Sequence, residues 1–364
     1  MKIALCTDIG EFHANRVLNR EWAKRFPGAA WMPQFADLVK LDGYETVTGD
    51  VALAKVKKGK WSAKEVLVLQ ELDSGLGREL IGRGAKPAVL TGLESPLFAY
   101  AFYDKLPELA PVFERRVLFG GAIKTFAADS GRNYRLRFPS YHLEDVLPLL
   151  PWAERKNLVM VAANKHFQPA EAETAAGVQS GTRALAIQSE LHTKRLEAIE
   201  FFASAGLDLF GYGWNEPGRL PRYWQERLRD TLSHLHPRPC ADKIRTIAAY
   251  KFALCFENLS YPGYITEKII DCFVAGVIPV YLGAPDVQEH ITGEAFIDVR
   301  QFGSWQNLAL YLDSLTEKEA ADLLGSGRRF LAGAPGRLHS FAGFARFIRD
   351  IMLTKDGYED ESAK

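Results

Sequence analysis

The sequence has no excess of charge of either sign. Lys and Arg together number 45, and Asp and Glu together also number 45, so the formal net charge is zero. Such a chain lacks the broad positive field that attracts nucleic acids and anionic membrane surfaces. The composition therefore argues against a nucleic-acid-binding protein, and any anionic ligand has to be bound by a few local cations.

Long apolar runs and clustered cysteines are also missing. The apolar run after Lys2 is too short for a signal peptide, and no uninterrupted stretch approaches the roughly 18 apolar residues of a membrane-spanning helix. The cysteines at positions 6, 240, 255 and 272 are scattered, and three have apolar surroundings, which is typical of buried, reduced thiols. We therefore expect a cytoplasmic protein without a transmembrane segment, and a peripheral position at the inner face of the membrane stays open.

What the sequence does contain is material for two α/β domains. Its 364 residues exceed the roughly 100–200 residues of one domain. Short β-rich runs alternate with helical stretches, which predicts parallel sheets with helices on both faces. The predicted strands are 2–6, 65–70, 88–91, 117–119, 158–162, 207–212, 252–256, 277–282 and 296–299. A Pro-containing hinge is predicted at 145–156, which gives domains at 1–150 and 151–345 and a terminal helix end with a polar tail at 346–364.

Helical stretches are predicted near the C-terminus, over 304–324 and 337–354. Thr316 and Glu319 have the spacing of a capping box, in which each side chain accepts a hydrogen bond from the other residue's backbone N–H. The first stretch is therefore predicted to be interrupted at this point.

The segment 250–283 predicts one complete βαβ unit. An apolar strand leads into a polar loop, then a helix that Gly276 terminates, then a second buried strand. Thr266 is the predicted N-cap, which places Lys268 in the first helical turn, where the helix dipole opposes a cation. Backbone N–H groups, dipole and ammonium would together bind a phosphate group. The alternatives are a surface helix whose Lys268 points into water and a Glu267 that only favours the helix start.

A second candidate cation is Arg195. Between residues 188 and 205, apolar residues recur with the period of a helix, and Arg195 lies within the apolar stripe instead of opposite it. A buried guanidinium needs an anionic partner, which is either a protein carboxylate or a phosphate bound through two parallel hydrogen bonds.

The same segment carries many fixed residue types in a defined order. They are aromatic-Lys-Phe at 250–252, Phe-Glu-Asn at 256–258, Tyr-x-Thr-Glu-Lys at 264–268, Ala-Gly at 275–276, Pro-Val at 279–280 and Gly283. This pattern resembles the diagnostic segment of the α-1,3-fucosyltransferases of glycosyltransferase family 10. A weaker match through Lys194-Arg195 and 211–214 extends the resemblance over most of residues 155–300.

The resemblance implies a fold and a donor. The fold is two Rossmann-like domains facing across a cleft, the GT-B arrangement, and the donor is GDP-fucose, whose L-fucose goes to a hydroxyl of a glycan acceptor. By the same resemblance, Arg195 and Lys268 would neutralise the diphosphate, and Asn258, Tyr264 and Glu267 would line the nucleotide and ribose. The helix-phase and helix-start patterns select the same two cations.

An inverting transfer also needs one carboxylate to take the proton of the attacking hydroxyl. In the family this base lies in a Glu-Ser-Pro-like turn of the N-terminal domain, which Glu94-Ser95-Pro96 matches in this chain. The resemblance therefore implies Glu94 as the base, and a solvated loop acid is the alternative. Glu71 and Asp73, at the end of another predicted strand, are the reserve candidates.

No metal cofactor is expected. His234, His236 and Cys240 form a short Pro-rich cluster without a fourth ligand at the spacing of a zinc site. No Asp-x-Asp pair stands where it could hold a metal against the diphosphate, so cations are expected to replace the metal. Stimulation by added Mn²⁺, through shielding of GDP, stays open.

Two other functions remain as alternatives. A transferase on the same scaffold could use another sugar nucleotide, because fold and phosphate contacts do not specify the sugar. A noncatalytic nucleotide- or glycan-binding protein would not need Glu94 at all.

Overall fold

The computed structural model describes residues 1–124, 132–165 and 181–354. The strands in this part of the chain are β1 Lys2–Cys6, β2 Glu45–Thr48, β3 Val66–Glu71, β4 Lys86–Thr91, β5 Arg115–Leu118, β6 Asn133–Arg135, β7 Lys156–Val161, β8 Leu207–Phe210, β9 Tyr250–Phe256, β10 Ile278–Leu282 and β11 Ile297–Asp298. The helices are α1 Arg20–Ala23, α2 Trp31–Leu41, α3 Gly49–Lys57, α4 Gly75–Gly82, α5 Tyr100–Leu109, α6 Gly120–Lys124, α7 Thr182–Gln188, α8 His192–Phe202, α9 Arg222–Arg227, α10 Arg229–Leu235, α11 Lys243–Ala248, α12 Glu267–Ala275, α13 Trp305–Ser314, α14 Glu317–Ala332, α15 Ala334–Arg337 and α16 Phe341–Leu353.

The chain divides into two compact units. Unit 1 comprises Met1–Ser140 together with the chain from Arg337 onward, and unit 2 comprises Tyr141–Gly336. The units therefore separate at residue 140, where the predicted boundary is 150, because the segment after Tyr141 packs onto unit 2. Within that segment the Leu147 N–H donates to the carbonyl of Val274 at 3.0 Å.

Unit 1 contains a six-stranded parallel sheet in the order β2-β1-β3-β4-β5-β6. Side chains of β1, β3 and β4 are largely buried, as expected for strands covered on both faces. Because all strands run in one direction, their carboxyl ends share one edge of the sheet. Asp8, Glu71 and Glu94 follow or end β1, β3 and β4 at that edge.

The C-terminal helix α16 belongs to unit 1, which differs from the predicted division at 345/346. Its Phe344 ring packs edge-on against Trp31 of α2, with ring centroids 5.0 Å apart, and both side chains are fully buried. Arg349 adds an ion pair to Asp42 at 3.0 Å. The apolar face of α16 explains its position, because α2 offers a matching face in unit 1. The predicted polar tail at 355–364 lies outside the described residues.

Unit 2 contains a five-stranded parallel sheet in the order β11-β10-β9-β7-β8, with the buried strand β9 at its centre. The loop after β9 leads into α12, which ends at Gly276 in the left-handed conformation, with φ 74°. A Cβ atom at this position would lie 2.5 Å from Cδ2 of Leu149, so both backbone conformation and packing require glycine. The predicted βαβ unit is present as β9, α12 and β10.

The predicted α/β class with two parallel sheets is confirmed. All nine predicted strands are present, and their ends agree within two residues. The sequence analysis missed β2 and β6, which are the two edge strands of unit 1 and contain few apolar residues. The predicted interruption is also present, since α13 ends at Ser314 and Thr316 and Glu319 form the capping box that starts α14.

Candidate functional site

Unit 2 has a cavity of about 720 Å³ at the carboxyl ends of β7, β8 and β9. We call it the unit 2 cavity. It is lined by residues that follow these three strands, by α8 and α11, and by the start of α12. Open parallel sheets bind ligands at this edge. The predicted donor residues Arg195, Asn258, Glu267 and Lys268 all line it.

Arg195 lies in the wall of this cavity with only 5% of the residue exposed, as its helical phase predicts. Its Nη2 donates to the carbonyl oxygens of Phe256, at 3.0 Å, and Glu257, at 3.4 Å. No carboxylate lies within ion-pair distance of Arg195 in the described part of the chain. Burial lowers the pKa of the guanidinium, and the nearby Glu257 carboxylate counteracts this effect. In the described part of the chain, backbone carbonyls therefore hold the guanidinium, and the Glu257 carboxylate acts on it without forming an ion pair.

Lys268 is held by a buried carboxylate that the sequence analysis did not select. Its Nζ lies 3.0 Å from Oε2 of Glu257, whose side chain is completely buried, and 3.4 Å from Oε1 of Glu267. Burial favours the neutral amine, but the two carboxylates outweigh it and raise the pKa of Lys268. Lys268 therefore carries a fixed positive charge and does not simply point into water. The sequence feature that could have indicated Glu257 is its position directly after a buried strand, 11 residues before Lys268.

Thr266 starts α12 in a different way from the predicted one. It is the N-cap residue, with extended backbone angles, but its side chain makes no capping hydrogen bond to the helix. The hydroxyl instead donates to Oε2 of Glu257 at 2.7 Å, and the Thr266 N–H donates to Oε1 at 2.8 Å. The hydroxyl is directed away from the helix because the buried carboxylate of Glu257 needs donors. Glu257 thus fixes both the loop and the lysine.

The remaining predicted donor residues lie next to one another. Glu267 lines the unit 2 cavity, and although burial raises its pKa, Lys268 and Lys243 outweigh this effect and lower it to about 2. The Nδ2 of Asn258 donates to the hydroxyl oxygen of Tyr264 at 3.3 Å. Tyr264 is buried and does not itself line the cavity. It contacts the cavity wall through Asn258.

Lys243 is a further cation of the cavity that the sequence analysis missed. Its Nζ lies 2.6 Å from Oδ2 of Asp271, and this charge raises the pKa of Lys243 against the effect of burial. Burial in turn raises the pKa of Asp271 to about 6. The sequence could have indicated Lys243, because an Asp directly before a helical stretch is a typical N-cap. In the structure Asp242 caps α11 by accepting from the Arg245 N–H at 3.0 Å, which places Lys243 in the first turn.

Unit 1 has its own cavity, of about 590 Å³, at the carboxyl ends of β1, β3 and β4. We call it the unit 1 cavity. The predicted base Glu94 and both reserve candidates, Glu71 and Asp73, line it. Glu94 is exposed, its Oε1 accepts from the Ser95 N–H at 2.7 Å, and Tyr103 fixes its backbone carbonyl by a hydrogen bond of 2.8 Å. The Glu94 carboxylate thus faces a cavity from a turn with a fixed backbone.

The three carboxylates differ in their partners. Glu71 accepts from the Leu93 N–H at 2.8 Å and from the Thr91 hydroxyl, yet burial raises its pKa to about 7. Asp73 pairs with Arg78 and, at 3.1 Å, with Lys105, and these cations lower its pKa against the effect of burial. Glu71 therefore titrates near neutral pH, and Asp73 is committed to two ion pairs.

One group of side chains in the described residues has a geometry that fits a metal ion. Asp286, Glu289 and His290 have ligand atoms within 4.8 Å of one another. Oδ1 of Asp286 already accepts from the Gly263 N–H at 2.7 Å, and none of the three lines either cavity. The sequence cluster His234, His236 and Cys240 forms no such group in the described part of the chain. Among the described helices, none is both long and apolar enough to cross a bilayer.

Comparison with known protein families gives one match, over residues 223–323, to the model for "Glycosyltransferase family 10 (fucosyltransferase) C-term". The α-(1,3)-fucosyltransferase FucT of Helicobacter pylori is 39% identical over 94 residues, which are 26% of this chain and 19% of the relative. The α-(1,3)-fucosyltransferase 7 of Homo sapiens is 39% identical over 105 residues, 27% of this chain and 31% of the relative. The matched segments thus span about a fifth to a third of these relatives.

Solved structures resemble the whole chain in fold. A crystal structure of an α1,3-fucosyltransferase has a TM-score of 0.54 at 18% identity and covers 99% of this chain and 92% of its own. The α1,3-fucosyltransferase with GDP gives 0.52 at 16% identity, with the same coverage. Anabaena Alr3699/HepE in complex with UDP gives 0.55 at 13% identity and covers 96% of this chain and 99% of its own. These likenesses confirm the predicted GT-B fold class.

Proposed function

We propose that the chain transfers L-fucose from GDP-fucose to a hydroxyl of a glycan acceptor, with inversion at the anomeric carbon, because residues 223–323 match the C-terminal model of glycosyltransferase family 10. The observation that carries the proposal is the unit 2 cavity. Arg195 is distant in sequence from Asn258, Glu267 and Lys268, yet all four line one cavity. Relatives named as fucosyltransferases, and a solved fucosyltransferase with GDP, support the choice of donor.

In this proposal, Arg195 and Lys268 neutralise the diphosphate of the donor. Arg195 has its Nη2 on two carbonyl groups, which orients the planar guanidinium, and Lys268 is fixed by Glu257 and Glu267. Preorganised cations of this kind stabilise the charge that develops on a departing diphosphate. Glu267 remains ionised at every physiological pH because its pKa is about 2, so it accepts hydrogen bonds from ribose or sugar hydroxyls. Asn258 lines the nucleotide side, and Tyr264 positions it by accepting the hydrogen bond from its side-chain amide.

Glu94 is the proposed base. As the acceptor oxygen forms its bond to the anomeric carbon, the bond from that carbon to the diphosphate oxygen breaks, and its electron pair leaves with GDP. The acceptor proton passes to the Glu94 carboxylate, whose described hydrogen bond is to the Ser95 N–H alone. Glu71 is the less suitable base, because both of its oxygens already accept hydrogen bonds from the β4 turn.

We propose that the reaction needs no metal, since cations already surround the diphosphate position. The expected result is activity that survives EDTA, with or without stimulation by Mn²⁺. Complete loss with chelator that a metal restores would contradict the cationic mechanism. We also propose a cytoplasmic location, with peripheral access to glycans at the inner membrane face, which cell fractionation would test.

Calorimetry against GDP, UDP and ADP tests the donor. GDP is expected to bind most tightly and to raise the melting temperature by mass action on the folded state. Equal affinities for the three would contradict the guanine assignment. Sugar-nucleotide profiling and glycan transfer then decide among three functions: fucose transfer, the same scaffold with another donor, and a noncatalytic binding protein, for which no GDP-fucose turnover would be detected.

A further inference from the structure

The unit 1 cavity has an unusual distribution of charge. Four carboxylates line it, those of Asp8, Glu71, Asp73 and Glu94, and no Lys, Arg or His is among the described residues of its lining. Several negative charges in a concave site create an electric field that acts on any ligand bound inside it. The charge of a ligand must therefore be compatible with the negative charge of this lining.

The four carboxylates are not neutralised to the same extent. Asp73 is paired with two cations that lie outside the cavity, and Glu71 is partly protonated near neutral pH. Asp8 accepts only from neutral donors in the described residues, the Ser74 hydroxyl at 2.9 Å and the Gly75 N–H at 3.1 Å. Glu94 likewise accepts from the neutral Ser95 N–H. Two negative charges, on Asp8 and Glu94, thus face the cavity without a basic partner among the residues that the structure describes.

The rest of the lining is mostly apolar and includes three phenylalanine rings. The Phe12 and Phe26 rings contact each other edge-on, with centroids 5.1 Å apart, and Met32 and Phe138 also line the cavity. A cavity that combines aromatic rings with hydrogen-bond acceptors fits a sugar ring, which presents C–H groups on its faces and hydroxyl donors at its edge. The chemistry of the cavity is therefore that of a carbohydrate site whose described lining offers acceptors and no cation.

We infer that the unit 1 cavity takes the acceptor as an uncharged or amino-bearing sugar and discriminates against acceptors that carry a carboxylate, sulfate or phosphate near the reacting hydroxyl. The inference rests on the proposed function and specifies its acceptor class. Like charges brought together in a partly desolvated site are costly, so the lining disfavours an anionic acceptor by repulsion, and no cation among the described lining residues offsets this repulsion.

The test starts from a panel of neutral, amino and acidic glycans with GDP-fucose as donor. The best acceptor is then compared with derivatives that differ by one added sialic acid or sulfate. The expected kcat/KM for the neutral or amino form is at least about tenfold above that of the acidic form. Raising the salt from about 0.1 to about 1 M should reduce this ratio, because the screening length falls from about 10 to about 3 Å.

A charge variant connects the discrimination to this cavity. Asp8→Asn keeps an oxygen that accepts from Ser74 and Gly75 but removes one charge, so the ratio of neutral to acidic kcat/KM should fall several-fold. Glu108→Gln is the matched control, because Glu108 is an exposed acid on α5 that does not line the cavity. It removes the same charge from unit 1 and should leave the ratio unchanged. If Asp8→Asn does not fold, the salt series with the wild-type protein gives the same decision.

Preferred transfer to acidic glycans would overturn the inference, and so would a ratio that responds neither to salt nor to Asp8→Asn. Either result would leave the proposed transferase function intact, because fucose would still be transferred. A protein that neither binds GDP-fucose in calorimetry nor fucosylates any glycan would instead overturn the proposed function, and the acceptor class with it.

Discussion

The two cavities have similar positions in their units but opposite linings. Each lies at the carboxyl ends of three parallel strands. The described lining of the unit 2 cavity contains four basic side chains and two acidic ones, and that of the unit 1 cavity contains four acidic side chains and no basic one. The same sheet edge thus supports an anion site in one unit and a carboxylate-lined site in the other. The architecture fixes the place of a site, and the residues that follow the strands fix its chemistry.

The cavities also differ in how their charges are balanced. Lys268 and Lys243 of the unit 2 cavity each have a carboxylate partner within 3.0 Å, so their ammonium groups are held in place. In the unit 1 cavity, Asp8 and Glu94 accept hydrogen bonds from neutral donors in the described residues. We therefore expect loss of one member of a unit 2 ion pair to affect folding and binding together, and substitution of Glu94 in unit 1 to affect catalysis without affecting folding.

The largest effect is expected for Glu94→Gln. Glutamine keeps the shape and the hydrogen-bond acceptor but cannot take a proton, so kcat should fall by roughly 10²–10⁴-fold while the Kd for GDP stays nearly unchanged. Single-turnover kinetics and calorimetry measure the two constants. A near-normal kcat would remove Glu94 as the base, and Glu71 and Asp73 would be tested next.

The second effect concerns Lys268 and its buried partner. Lys268→Met alone leaves the Glu257 carboxylate buried without its cation, which should cost about 3–5 kcal/mol in the free energy of unfolding. The double variant Glu257→Gln/Lys268→Met replaces the ion pair with neutral side chains of similar size and should fold with near-normal stability.

GDP-fucose turnover by that double variant should nevertheless fall by about 100-fold, because the diphosphate loses a preorganised cation. Denaturant unfolding and steady-state kinetics on both variants separate the two roles of the lysine. Normal turnover by the folded double variant would show that Lys268 is only a structural partner of Glu257.

A smaller effect is expected for Arg195→Lys. An ammonium retains the charge but cannot contact both the carbonyl groups of Phe256 and Glu257 and a phosphate in the planar geometry of a guanidinium. GDP affinity should therefore fall by about tenfold, with the circular dichroism spectrum unchanged, and Arg195→Ala should lower it further. If Arg195→Ala unfolds the protein and any folded fraction binds GDP normally, the arginine has a structural role alone.

The smallest effect is a change in the pH dependence of stability on substitution of Glu71. Its pKa is raised from 4.5 to about 7 in the folded protein, so between these values the folded form holds a proton that the unfolded chain has lost. The free energy of unfolding should therefore decrease as the pH rises from about 4.5 to 7 and be constant above that.

Glu71→Gln should remove this dependence and stabilise the protein by roughly 1 kcal/mol at about pH 8, with little change at about pH 4.5. Urea unfolding of the wild type and the variant at both pH values measures this change in the free energy of unfolding. A variant that is less stable than the wild type at the higher pH would show that the hydrogen bonds to Thr91 and Leu93 need the ionised carboxylate.

The sequence predicted the unit 2 side better than the unit 1 side. The family resemblance grouped Asn258, Glu267 and Lys268, which lie within one loop and one helix turn. The helix start independently selected Lys268, and helical phase selected Arg195. Lys243 and Glu257 were missed because their partners, Asp271 and Lys268, are on other elements. In unit 1, Asp8, Glu71 and Glu94 follow three different strands, and only the strand order of the folded sheet brings them together. Their roles remain predictions.

The C-terminal helix α16 has a consequence for synthesis of the protein. It covers Trp31 on α2, yet Phe341 follows Leu41 by 300 residues, so at about 5–20 residues per second the ribosome needs roughly 15–60 s to supply the missing face. Unit 2 is one continuous stretch and can complete its core as it emerges. Unit 1 begins first and is completed last, so we expect the Trp31 face of α2 to stay uncovered for the whole interval and to be open to chaperones that bind exposed apolar segments.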